Sequence, residues 1–102
     1  MSRYRQTIEE AIAHKRVLLI RYEGWSAERA IEPHAYGIDS EGKELLRAWQ
    51  EFGASESGER TGWKLFSISK ILSMQPTQSV FSGARPGYKR GDTAMQRIYA
   101  QL

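Results

Sequence analysis

The chain has 102 residues, carries a net charge of +3 and contains no cysteine. That length suits one domain with a modest core, residues 1–102, and leaves no room for a separate DNA-reading module, while the absence of thiols excludes a disulfide framework and a cysteine-ligated metal site. The charge is lopsided: residues 1–51 hold eight Lys/Arg against nine Asp/Glu, whereas residues 60–102 hold seven against Asp92 alone, which invites an anionic partner unless those cations only keep the domain in solution.

Met1 to Arg5 lack the apolar run of a signal peptide, and no stretch approaches the ~20 apolar residues of a spanning helix, so a cytoplasmic protein clear of the membrane is expected. Tyr4, Ile8, Ala11 and Ile12 recur at three- and four-residue spacings and predict a helix with one apolar stripe. Thr7-x-x-Glu10 has the form of its capping box, with Ser2 as the other start. From Val17 the period becomes two: Leu18, Ile20 and Tyr22 face one way, Leu19 and Arg21 the other. A second strand resumes near Glu28 and runs through Ile31. Pro33 cannot donate to a ladder, which places it at an edge, a bulge or a strand end. Asp39-Ser40-Glu41-Gly42 is a turn, and residues 44–52 form a strand with Leu46 and Ala48 opposite Arg47 and Trp49. The polar, glycine-rich run 53–62 reads as a mobile hairpin loop. A last strand over about 63–74 shifts its alternation at Ile71, which suggests a bulge or bend. After Pro76 periodicity is lost until Asp92, a plausible N-cap for a helix carrying Met95, Ile98, Tyr99 and Leu102.

This order of motifs runs from Ile8-Glu9-Glu10-Ala11-Ile12 through Val17 to Tyr22, Arg29-Ala30-Ile31-Glu32-Pro33 and Leu46-Arg47-Ala48 to Lys64-Leu65-Phe66-Ser67-Ile68-Ser69-Lys70-Ile71. It resembles the WYL domain family over roughly residues 6–74. Of the Trp-Tyr-Leu for which that family is named, only Leu46 stands in the corresponding triplet 44–46. The resemblance implies a small Sm-like, SH3-type barrel of the kind that serves as a ligand sensor in bacterial transcription regulators. It also implies that basic and aromatic surface residues bind nucleic acid or nucleotide-like effectors. The expected fold is therefore all-β: a five-stranded Sm/SH3-like barrel over about 6–74, an N-terminal helix, and a C-terminal extension, 75–102, ending in an added helix.

Candidate binding residues follow from local chemistry. Arg47 and Trp49 share one strand face, where a base can stack on the indole while the guanidinium takes a phosphate; the competing arrangement stacks Arg47 on Trp49 internally or packs this face beneath a terminal element. The resemblance adds Arg29, Lys64 and Tyr22, although Arg29 could instead pair with Glu28, Glu32 or Glu44. His34 is expected to be exposed and able to donate or accept. The segment 82–92 sets Arg85, Lys89 and Arg90 among glycines and Tyr88 ahead of the expected helix, as an anion clasp or as a tail folded over the barrel, with Pro86-Gly87 as a type II turn. Tyr36 or Tyr88 could add stacking.

Enzymatic readings find little material. There are two histidines, His14 and His34, no Gly-x-Ser-x-Gly and no His-Glu-x-x-His, so no catalytic residue, metal site or cofactor is expected. The expected function is a non-enzymatic sensor or regulatory module for single-stranded nucleic acid or a nucleotide-like anion, weakened steeply by salt. The alternative is a protein-interaction or homo-oligomerisation module built on Trp25, Trp49 and Trp63.

Overall fold

The computed structural model describes residues 3–52 and 62–102; of the expected loop over 53–62, positions 53–61 lie outside them and Gly62 begins a strand. Helix α1 (Arg5–His14) is followed by strands β1 (Arg16–Tyr22), β2 (Arg29–Ile38), β3 (Glu44–Phe52) and β4 (Gly62–Ser67). A single 3-10 turn (Ile68–Lys70) then leads into β5 (Ile71–Val80), and β6 (Arg97–Gln101) closes the chain. All pairings are antiparallel and follow the path β4-β3-β2-β1-β5. β2 is the hub. β3 lies along one of its edges, while β1 takes the start of the other edge at Arg29 to Ile31 and β6 takes its end at Ala35 to Ile38.

Among the described residues the fold is thus mostly antiparallel sheet, in keeping with the expected all-β class, with one helix where two were expected, and two finer expectations are corrected. The sheet is not closed into a five-stranded barrel: β4 and β5 are its edges, with no ladder between them. The hydrogen bonds at the corner that joins them go to the end of β1 and its turn instead, from Ser67 N to Tyr22 Oη and from Glu23 N to Lys70 O, each 3.0 Å. The shift of alternation near Ile71 is this 3-10 corner, which divides the single expected strand in two.

The second correction is the C-terminal helix, which is strand β6. Asp92 does cap a turn there, accepting from Ala94 N at 2.9 Å, but the chain then extends onto β2. A register shift in β6 leaves Tyr99 as an extra residue, so Ile98 packs on one face of the sheet while Tyr99 and Ala100 pack on the other. A bulged strand thereby imitates helical spacing. Gly37 makes the docking possible: a Cβ there would collide with the carbonyl oxygen of Arg97 and stand 3.0 Å from Ile98 Cα.

Helix α1 begins at Arg5 with Tyr4 as N-cap and no side-chain cap bond, so Thr7 lies inside the first turn rather than at its cap. It ends at Lys15, whose φ of 53° turns the chain left-handed and directs its N–H to the carbonyls of Ala11 and Ile12. The predicted stripe Ile8, Ala11 and Ile12 is buried against β1, β2, β5 and β6 together with Leu18, Ile20, Ile31, Tyr36, Leu46 and Phe66. Each fully buried aliphatic side chain contributes about 1.5–3 kcal/mol. Among the described residues no helix is long and apolar enough to cross a membrane.

The opposite face of the sheet is covered by residues 81–96. Phe81 N bonds to Lys15 O at 2.8 Å, and Met95, Ala94 and Tyr88 pack on Ala35, Leu45 and Ile98. The terminal segment folds back over the sheet, one of the two arrangements its sequence allowed.

Candidate ligand-binding site

The site grows from a bulge in β2. Pro33 pairs with Ala48 and Ala35 with Arg47, so His34 is an extra residue in the central strand. A proline lacking its N–H is tolerated at such a break. Ile31 and Tyr36 both reach the helix-covered core across this shift, while Glu32, His34 and Ala35 are left to the strapped face. On β3 the alternation puts Arg47 and Trp49 on that same face, and Trp63 of β4 stands directly across from Trp49.

His34 is fully buried, which corrects the expectation of an exposed histidine. Its ring stacks on Phe81 at 5.5 Å between centroids and meets Trp63 and Tyr88 edge-on at 4.8 and 5.1 Å. Nδ1 lies 2.8 Å from Glu32 O and Nε2 accepts from Arg85 N at 3.1 Å. A carbonyl on one side and an N–H on the other fix the neutral, Nδ1-protonated ring. Burial holds its pKa below the ordinary histidine value, and the nearby Arg85 charge acts in the same direction.

Glu32, with a side chain 2% exposed, receives Arg85 in a two-pronged ion pair at 2.7 and 2.8 Å. The same guanidinium lies 5.4 Å from the Trp49 ring, so Trp49 is flanked by Arg85 and Trp63 rather than by Arg47. Arg47 turns to Asp92, with Nε and one terminal nitrogen donating at 2.7 and 3.3 Å. That contact holds the Asp92 carboxyl below the usual carboxylate range. Trp63 Nε1 donates to Pro86 O at 3.1 Å and pins the Pro86-Gly87 turn above β4.

These contacts leave a cleft of about 400 Å³ between the sheet and residues 87–93. Arg47 and Trp63 line the sheet side; Tyr88, Lys89, Arg90 and Asp92 line the strap side. Lys89 and Arg90 are exposed and form no ion pair with any described residue. Gly87 and Gly91, at φ 90° and 73°, bracket them in the left-handed region where other residues are strained.

The expected residues therefore divide. Arg47, Lys89 and Arg90 line the cleft; Trp49, His34 and Arg85 are built into its foundation. Arg29 and Lys64 belong to the other face of the sheet, Lys64 across from Ala48 and Arg29 across from Ile20. None of the three carboxylates proposed as partners reaches Arg29 among the described residues. Its guanidinium lies 3.7 Å from the Trp25 ring and donates to Gln50 at 3.4 Å, while its buried Nε finds no hydrogen-bond partner among the described residues. Glu32 is taken by Arg85, and Glu44 accepts from the Tyr36 hydroxyl. Tyr36 is wholly buried in the core, and burial followed by the Glu44 contact pushes its pKa well up, so it offers no stacking surface. Glu32 as an anchor and Trp63 as a cleft wall were not read from the sequence. The signals were the lone carboxylate of β2 and an indole at the register position opposite Trp49.

The cleft lining combines charge with aromatic surface. Among the described residues no three His, Asp or Glu side chains converge as metal ligands. No family model, curated protein or solved structure gives a significant match to the chain.

Proposed function

We propose that the protein is a non-enzymatic binding module for an anionic ligand, nucleic acid or nucleotide, acting as a sensor or regulator of the kind that its WYL-like order of motifs led one to expect. The observation that carries this reading is the cleft itself, where Trp63 and Tyr88 stand beside Arg47, Lys89 and Arg90. Aromatic faces accept a base and cations accept phosphate, so the two requirements of nucleotide binding meet in one concavity. Labelled single-stranded DNA and RNA, with unlabelled mono- and polynucleotides as competitors, test it by fluorescence anisotropy. Binding that disappears in the Lys89→Ala/Arg90→Ala double variant supports the reading; failure of every nucleic acid and nucleotide to bind sinks it.

Self-association is a second reading, favoured by edge strand β5, where Leu72 and Val80 are 51% and 64% exposed beside an unpaired ladder edge. The tryptophans lend it less weight than expected, since Trp25 packs on Tyr22 and Phe66 and Trp49 packs on Trp63. Light scattering of the wild type and of Leu72→Glu distinguishes the two readings: a dimer dispersed by the charge supports pairing through β5, and a monomer at all concentrations removes it.

A further inference from the structure

We infer that the cleft takes a single nucleotide bearing a terminal phosphomonoester, not the internal phosphodiesters of a strand. The inference rests on the binding function proposed above and narrows it to a ligand class. Size is the first argument. About 400 Å³ lies at the small end of the ~300–1,000 Å³ range of small-molecule sites, which suits one nucleotide unit.

Charge is the second. Three cations, Arg47, Lys89 and Arg90, face one anion, Asp92, leaving the lining at net +2. A phosphomonoester carries about −1.5 to −2 at pH 7, whereas a strand brings a single charge per phosphate. The monoester matches the lining and the diester falls short of it. Asp92 engages two of the five N–H donors of Arg47, so the guanidinium is oriented by its partner without being saturated. Lys89 and Arg90 supply exposed charge to the lining, and there is open space beside Gly91.

The third argument is the aromatic wall. Trp63 and Tyr88 are stacked on each other, with centroids 6.1 Å apart and planes 30° from parallel. A base extends this stack at its cleft side instead of entering between the rings. Because Trp63 Nε1 is committed to Pro86 O, the wall offers a face and no indole donor, which favours ring stacking over recognition of a particular base edge. Discrimination among bases should therefore be weak, while discrimination for the terminal phosphate should be strong.

The test measures tryptophan fluorescence and calorimetric binding for four nucleoside 5′-monophosphates, the parent nucleosides, ribose 5-phosphate, and a decanucleotide with hydroxyl groups at both ends. The expected result is that monophosphates quench tryptophan and bind at least tenfold more tightly than nucleosides or ribose 5-phosphate. The Lys89→Ala/Arg90→Ala variant, folded by circular dichroism, loses at least tenfold. Equal binding of ribose 5-phosphate overturns the aromatic part of the inference. A decanucleotide that binds while the monophosphates do not overturns the ligand class and leaves the broader binding function standing. Silence from every probe overturns both.

Discussion

At residue scale the organising group is His34, since its two ring nitrogens join β2 to the strap only while the ring is neutral. Protonation would set Nε2–H against the Arg85 N–H, and the groups around the ring are Glu32, Arg85 and Tyr88, of which only Glu32 favours the cation. A histidine whose folded pKa lies below its unfolded value contributes stability that is fully present above the unfolded value, about 6.5, and is lost as pH falls toward the folded value. The urea midpoint should therefore fall between pH 7 and 5.5. In the same window, the Nε2 resonance of His34 should keep its unprotonated shift below pH 6.5, and His34→Gln should flatten the stability profile. An unchanged midpoint, or an Nε2 that titrates at the ordinary value, would refute this. Arg85 offers a second test. Arg85→Ala strands a carboxylate that is 2% exposed, at a cost of about 3 kcal/mol, the low end for a broken buried pair because Arg85 itself is partly solvated. Adding Glu32→Gln should recover more than about 1 kcal/mol of this in urea unfolding, since a neutral amide is less costly to bury than an unpaired charge. A double variant no more stable than Arg85→Ala would show that the pair contributes through packing alone.

At the scale of elements, legibility followed periodicity. The α1 stripe and the alternation of β1 and β3 were readable because Ile8, Leu18 and Leu46 recur at the period of their own element on the side that builds the helix-covered core. β2 was readable only through Ile31, because the His34 bulge changes the parity of the strand and Pro33 disguises a central strand as an edge. β6 was misread because its own bulge mimics helical spacing. Nothing local announces that Gly37, sixty positions before Arg97 on the hub strand, is the residue that admits it. Site residues were legible where chemistry is local, as in Arg47, Lys89 and Arg90. They were illegible where it depends on pairing across the chain, as in Glu32 with Arg85 at a separation of 53 residues. Gly37 therefore carries the element-scale prediction. Gly37→Ala should force β6 away from β2 and lower stability by about 1–3 kcal/mol, the usual cost of overpacking, with loss of amide protection concentrated in residues 97–101. Unchanged exchange in β6 would mean that the backbone shifts to admit the methyl at little cost.

At the scale of the molecule, the acidic and basic parts of the sequence are joined by two ion pairs. The basic C-terminal part lays Arg85 on Glu32 of the acidic part, and Asp92, the lone acid of residues 60–102, returns to Arg47. The two pairs staple the strap to the sheet, withdraw Arg85 from phosphate binding and leave Arg47 only partly available for it. Arg29 and Lys64 lie on the other face, so a strand laid across the cleft meets chiefly Lys89 and Arg90. Any strand contact there is the weaker mode beside the monoester inferred above, and two neutralised phosphates give it a slope of log K against log salt of about −1.4, so a rise from 50 to 200 mM salt should weaken such residual decanucleotide binding only about sevenfold. This replaces the steep dependence expected when every basic residue counted as available. Anisotropy titrations over that salt range decide it. A slope near −1.4 that approaches zero in Lys89→Ala/Arg90→Ala would confine the polymer contact to the cleft mouth. A slope of about −4 or steeper would require some six phosphates, more cations than the cleft presents, and would move the nucleic-acid surface elsewhere on the molecule.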